Sequence, residues 1–428
     1  MLSAHPRPRF NASWLRTGGA IAIFFGLKFI FGLALIGISS SYLNVSGFVS
    51  FSQLFLFFAL LATVSAAGVQ HGLARRIATA EGDDQVEQAA TAAAFRIWVV
   101  ASAALCIAAY ILRQALSKLL VGDYSLANAI PLATIAGTVG GYGVLACAIL
   151  NGRQRAPVSL ILQSIGLVVG GALCIWSLLK GDPVAAVLGY AAGPILTSIM
   201  AAIILYRGRI RFGPFQKFEW HDARLLLGYS IAFLAIAVIM PGTLFGLRQI
   251  YRESFGTDFL GYWLAASRVS DVTSQILGLY MAQIFLPQVA RETKPRQLRK
   301  LLRTTLLIGS TVMLGGWVVF LIGAPFFVTT FFSPAYLPAI PFIAGYLLGD
   351  GLRVTASMAM HWMLARQRLV AAISIEIGTA LIMTAYLLIL VTLGYREAPF
   401  WAYPAAYGTI GVLVFALVLL NTKTRSGD

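Results

Sequence analysis

Apolar runs of about twenty residues or more follow one another along nearly the whole chain, with only short polar connections between them. Runs of that length predict membrane-spanning helices. They give about twelve spans, at roughly 17–39, 48–74, 90–112, 125–150, 156–179, 184–206, 225–247, 259–287, 304–326, 338–364, 369–392 and 401–420. The longest connection, about 207–224, leaves no room for a soluble catalytic domain. The basic opening segment and the run behind it have the look of a signal peptide. That run is too long and too many others follow, so it reads as a retained first helix. The pattern predicts an all-α, polytopic membrane protein.

Composition agrees. Of 428 residues, 59% are hydrophobic and 11% charged, about half the charge of an ordinary soluble domain. The charges are also unevenly placed. Of 32 Lys and Arg, 22 fall at one set of helix ends, six at the other, and four (Lys28, Arg96, Arg268, Arg353) within spans. Positive residues favour the cytoplasmic side, which puts both termini there. The net charge of +16 therefore sets topology and meets anionic headgroups of membrane lipids. It forms no basic domain of the kind that binds nucleic acid. The cysteines Cys106, Cys147 and Cys174 lie inside spans without metal-ligand spacing, and read as small buried apolar residues. No cofactor or metal is called for.

The chain reads as a six-helix unit used twice. "LNGRQRAPVSLILQSIG" (150–166) lies over "LARQRLVAAISIEIGTA" (364–380) at an offset near 213, and "GVQHGLARRIATAE" (68–81) falls on "YMAQIFLPQVARET" (280–293) at about the same offset. Six spans are an even number, so both copies share one orientation. The expected organisation is an N-terminal six-helix bundle over 1–213 and a C-terminal one over 214–428, flanking a central cleft. That is a transporter plan, with rocking of the halves giving alternating access.

The ionisable residues well inside spans are Lys28, Arg96, Arg268, Asp271, Asp350, Arg353 and Glu376. Each would cost on the order of 2.5–3.5 kcal/mol facing lipid, so they must face protein or a wet cavity. Arg268 with Asp271 and Asp350 with Arg353 are three residues apart and share a helix face. Each pair fits either a local clasp between helices or part of a substrate path. Lys28 has no acid nearby in sequence, so its partner is on another helix or is the substrate. Arg96 can snorkel to an interface. Arg248, beyond Pro241, fits either a helix-end cation or the outer mouth of a cavity. The interior leans positive, which suits an anionic cargo, because Arg grips phosphate oxygens in a fork and Lys supplies a point charge. The candidate substrate-binding set is Lys28, Arg248, Arg268 and Arg353. Asp271, Asp350 and Glu376 are the balancing or ion-coupling carboxylates.

These residues also carry a resemblance. Lys28 in "GLKFIFGLALIG", the "GVQHGLARRIA" segment, Pro241 ahead of Arg248, "GYWLAASRVSD" leading to "FLPQVAR", and "LGDGLRVTASMAMHWMLARQRL" followed by "ISIEIG" resemble the Wzx-type polysaccharide flippases. Those belong to the multidrug/oligosaccharidyl-lipid/polysaccharide exporter superfamily, and the likeness is greatest to its lipid III branch of enterobacterial common antigen synthesis. The chain differs from the branch at "SSSYLNVSGF" after the first span. The resemblance implies a bacterial inner-membrane carrier rather than an enzyme. Its cargo would be undecaprenyl-pyrophosphate-linked oligosaccharide, moved from the cytoplasmic to the periplasmic leaflet for O-antigen or common-antigen assembly. A polysaccharide polymerase and a chain-length regulator would be its partners. The rivals are a multidrug cation antiporter of the same superfamily, expected to be acidic inside, and an integral-membrane polymerase, expected to carry a large external loop.

Overall fold

A computed structural model describes residues 12–80, 83–208, 220–281, 285, 288–289, 295–366 and 368–423. The first half contains α1 (Ala12–Tyr42), α2 (Val45–Ser65), α3 (Val69–Thr79), α4 (Asp84–Ile111), α5 (Arg113–Val121), α6 (Ala129–Gly152), α7 (Ala156–Leu179) and α8 (Pro183–Arg207). The second contains α9 (Trp220–Phe255), α10 (Thr257–Tyr280), α11 (Pro295–Phe331), α12 (Ile340–Ala365), α13 (Leu369–Thr392) and α14 (Ala398–Lys423). Among the described residues all but α3 and α5 are long, which gives the twelve expected from the sequence. Eight segments are long and apolar enough, over their described residues, to cross a membrane. The protein is a multi-pass membrane protein.

Local chemistry sets the breaks. Asn44 caps α2, accepting from the Gly47 amide at 2.7 Å. Asp83 and Asp182 cap α4 and α8 in the same way, each satisfying helix N–H groups that have no intrahelical partner. The predicted second span, 48–74, is in fact two helices. Ala67 and Gly68 both adopt left-handed φ, 51° and 65°, and the chain turns there into α3. A Cβ on Gly68 would come within 2.9 Å of the Ser230 carbonyl oxygen, so the site needs glycine for its backbone angle and for the close approach of α9. The Ser230 hydroxyl donates to the Ala67 carbonyl across that contact. The run was apolar enough to read as continuous, and only backbone geometry reveals the break.

The internal repeat extends to turn geometry. Arg155 N–H bonds the Leu150 carbonyl at 2.8 Å, and Arg368 N–H bonds that of Met363 at 2.9 Å. At the far ends of α7 and α13, Asp182 N–H bonds Ser177 O and Tyr395 N–H bonds Leu390 O. Gly181 and Gly394 take the same left-handed φ, 74° and 82°. Packing repeats as well: α8 lies on α6 and α7, as α14 lies on α12 and α13. Glycines four residues apart, Gly166 with Gly170 and Gly345 with Gly349, sit at these seams. A Cβ on Gly170 would be 2.5 Å from the Tyr190 carbonyl oxygen, and one on Gly349 would be 2.2 Å from the Tyr403 ring. Gly242 and Gly246, with the same spacing, have nothing within 4 Å; spacing alone does not make a seam.

The halves meet along two seams: α9 packs on α2, α3, α4 and α5, and α10 packs on α1 and α2. Near the end where α1 stops and α2 starts, the Phe48 and Tyr336 rings meet edge-on at 5.2 Å, and a Cβ on Gly261 would be 2.7 Å from Val45 Cγ1. A cavity opens further along the same seam.

Candidate functional site

That cavity has a volume of about 560 Å³, and its wall is drawn from α1, α2, α7, α8, α10 and α12, so both halves build it. Its charged lining residues are Lys28, Arg268, Asp271 and Arg353. Much of the rest is aromatic or aliphatic, including Phe31, Phe51, Phe55 and Tyr190.

Each charge is held differently. Arg268 makes an ion pair with Asp271 at 3.6 Å, the one-turn partner the spacing predicts. It also donates to the Ser52 backbone carbonyl at 2.9 Å and lies 4.8 Å from the Phe55 ring centroid. Its donors are thus spread over three groups on two helices, and it ties α10 to α2. Asp271 keeps 45% of its side-chain surface accessible, although it sits mid-helix in a membrane protein. That surface faces the cavity. Four cations act on this one carboxylate: Arg268, Arg248, Arg353 and Lys28. Lys28 itself makes no hydrogen bond or ion pair within 4 Å among the described residues, although Asp271 attracts it.

The second predicted pair does not form directly. Asp350 is 2% exposed and accepts from Ser270 Oγ at 2.8 Å, from Tyr403 Oη at 2.9 Å and from Thr273 Oγ1. Arg353 donates to Ser274 Oγ at 2.7 Å and to Tyr403 Oη at 3.5 Å, and stands 5.4 Å from the Tyr407 centroid. The two charges share a face of α12, but α10 and α14 supply enough hydroxyls to hold them apart. Asp350 is therefore a buried, hydroxyl-bound carboxylate behind the wall, and Arg353 reaches the cavity. Burying a carboxylate is tolerable only with such a full set of donors.

Arg248 is also behind the wall. It is 3% exposed and donates to Ser267 Oγ at 3.0 Å and to Gln53 Oε1 at 3.5 Å. It is absent from the cavity lining. Glu376, on α13, is half-buried and makes no hydrogen bond or ion pair among the described residues; Arg353 is the cation that acts on it. Arg96 lies on the exposed side of α4.

Three features of the site escape a reading of the charges alone. Tyr403 bridges Asp350 and Arg353; a tyrosine in an apolar span looks like any other packing aromatic. Trp263 Nε1 donates to Tyr346 Oη at 2.5 Å, and the Tyr346 ring stacks on Tyr403 at 4.0 Å. Ser270, Thr273 and Ser274 share "SDVTS" with Asp271. That density of hydroxyls beside an intramembrane charge was the available signal.

Residues 43–341, well over half of the chain, match the family described as polysaccharide biosynthesis protein. The chain belongs to that family. Among relatives of this polysaccharide biosynthesis protein are the lipid III flippases of Escherichia coli (strain K12) and Shigella flexneri. Each is 22% identical over 335 residues, 77% of this chain and 80% of its own. Among solved structures, an inward-facing multidrug resistance MATE family transporter of the MOP superfamily matches with a TM-score of 0.75 at 14% identity, over 98% of this chain and 100% of that one. The lipid II flippase MurJ, in an inward closed conformation, matches with a TM-score of 0.72 at 13% identity, over 95% and 87%. The all-α fold is thus that of MOP superfamily transporters. The named relatives are transporters rather than enzymes.

Proposed function

We propose that this chain flips a pyrophosphate-linked lipid oligosaccharide of the undecaprenyl type across the bacterial inner membrane. The motion runs from the cytoplasmic to the periplasmic leaflet, by rocking of the bundles 1–213 and 214–428. The observation that carries the reading is a cavity built by both halves, with three cations and one carboxylate in its wall. Three positive groups of two kinds suit the diffuse charge of a pyrophosphate. Asp271 keeps the empty cavity from becoming a sink for anions, because a carrier must release what it binds. Arg248 backs the site from behind, and Asp350 and Tyr403 fix the pose of Arg353. Glu376 is the group we assign to ion coupling. The relatives named as lipid III flippases, together with the family, support the reading.

The shared fold also admits a multidrug antiporter. The balance of charge speaks against it: a cationic drug would meet Lys28, Arg268 and Arg353 with one opposing carboxylate. The basic connections place both termini in the cytoplasm. A polysaccharide polymerase and a chain-length regulator would act downstream, on O-antigen or enterobacterial common antigen. The test is the leaflet position of lipid-linked oligosaccharide in cells lacking the gene, read with a label that cannot cross the membrane. The expected result is accumulation on the cytoplasmic face, rescued by the wild-type chain and not by Lys28→Ala at equal protein level. Normal surface display with altered drug sensitivity would transfer the assignment to the antiporter.

A further inference from the structure

A second cavity, of about 390 Å³, opens off the first within the N-terminal half, walled by α1, α3, α6, α7 and α8. The two share Lys28, Leu167, Tyr190 and Pro194, so Lys28 stands at their junction. Their chemistry differs. Apart from Lys28, the polar side chains of the second chamber are neutral: Gln70, Asn151, Gln163, Thr197, with Tyr190 at the junction.

Several of these groups have bonding capacity left over. Gln70 Oε1 is buried without a hydrogen-bond partner. The Asn151 side-chain amide makes no hydrogen bond among the described residues, and nor does the Tyr190 hydroxyl. Gln163 donates an amide hydrogen to Ser159 Oγ at 3.1 Å and also reaches the Cys147 thiol, which leaves its carbonyl oxygen able to accept. Leaving a buried polar atom unpaired is costly, and Gln70 Oε1 is such an atom. Beside it the half-buried Gln163 and Tyr190 and the exposed Asn151 offer further donors and acceptors, so the space suits an occupant that both donates and accepts. Sugar hydroxyls and acetamido groups do both, and an amide side chain matches them with one carbonyl and two N–H. The Tyr190 ring, which packs against Phe55 at 4.7 Å and edge-on to Phe58 at 6.3 Å on the side of the first cavity, adds an apolar surface at the junction of the kind the carbon-bound face of a pyranose covers. The volume lies within the range of small-molecule sites, about 300–1,000 Å³.

We infer that the N-terminal chamber is a glycan subsite, which takes the uncharged sugar units nearest the lipid while the pyrophosphate stays with Lys28, Arg268 and Arg353. The inference rests on the proposed flippase reading and adds a direction to it: charge at the junction, neutral sugar into the N-terminal half.

The experiment uses the full chain in lipid nanodiscs and two probes, farnesyl pyrophosphate and farnesyl-pyrophosphoryl-N-acetylglucosamine. Two neutral hydrogen bonds of about 1 kcal/mol each make the sugar-bearing probe bind roughly tenfold or more tighter. Asn151→Leu combined with Gln163→Leu removes that difference and leaves the bare farnesyl pyrophosphate affinity as in the wild type. Asn151→Leu alone, at an exposed position, removes about half of the difference in free energy and guards against misfolding of the double variant. Equal affinity of the wild type for both probes overturns the subsite, as does equal weakening of both probes by the variants. If a folded wild-type protein binds neither probe, the pyrophosphate reading fails and the subsite goes with it.

Discussion

Asp350 and Arg353 lie one helical turn apart on α12, yet they meet through Tyr403, whose hydroxyl donates to the carboxylate at 2.9 Å and accepts from the guanidinium at 3.5 Å. An ion pair would have spent the charge of Arg353 on its neighbour. With three hydroxyl donors on Asp350 instead, Arg353 keeps part of its fork for the cavity.

Tyr403→Phe takes one donor from a buried carboxylate and is expected to destabilise the protein by about 1.5–3 kcal/mol. Asp350→Asn together with Tyr403→Phe should cost less than the sum of the single changes, because the charge that needed the donor is gone. Thermal unfolding in detergent of the four proteins of the cycle measures this. Simple additivity would mean that the bond contributes nothing.

Asp271 opposes four cations, so Asp271→Asn should tighten binding of farnesyl pyrophosphate. A unit charge at about 4 Å is worth roughly 4 kcal/mol even at an effective dielectric of 20, and screening in an open cavity cuts that, so a gain of about tenfold is expected. Flipping should fall at the same time, since release slows. Weaker binding in this variant would show that the carboxylate positions Arg268 rather than tempering it.

The end of the seam near Val45 and Gly261 is packed closely enough to be locked. A Cβ on Gly261 would be 2.7 Å from Val45 Cγ1, within the reach of a disulfide. In a chain with Cys106, Cys147 and Cys174 replaced by Ala, Val45→Cys with Gly261→Cys should cross-link on oxidation, stop flipping and recover it on reduction. Flipping that survives complete cross-linking would show that this end stays shut throughout the cycle.

Arg76 Nε bonds Asp222 Oδ1 at 2.9 Å, with the carboxylate side chain 2% exposed and the guanidinium 35%. Arg76→Ala leaves that acid nearly buried and unpaired. Removing one partner of a fully buried pair costs about 3–5 kcal/mol, and the exposure of Arg76 brings the expected loss to about half of that. Asp222→Asn in the Arg76→Ala background should recover most of it, as read by thermal unfolding.

Much of this was legible in the sequence because a bilayer leaves little freedom. Long apolar runs located the twelve helices, and the offset between "NGRQR" and "ARQR" located the repeat that the turns at Arg155 and Arg368 now display. Lys28, Arg268, Asp271 and Arg353 stood out because mid-membrane charge is costly, and the cavity gathers all four. The break at Ala67–Gly68 was not legible, since backbone angles leave no mark in an apolar run. Nor was the division of roles among the charges. Whether Arg248 or Asp350 faces the cavity depends on hydroxyls from other helices, and three-residue spacing says nothing about those. Gln70, Asn151 and Gln163 were hidden for the opposite reason: neutral amides are cheap enough to pass as packing.

The duplicated turns show two bundles raised on one plan, but the charges in the cavity wall and behind it are not duplicated with them. Arg248, Arg268 and Arg353 share the second half with Asp271, Asp350 and Glu376, three of each sign, while the first half contributes Lys28. Mechanically the halves are twins; electrically one is a balanced multipole and the other a lone positive pole. On the proposed function, a voltage across the bilayer would pull on this set of charges chiefly through α1, and a pyrophosphate docked at Lys28 would reverse the sign of that pull.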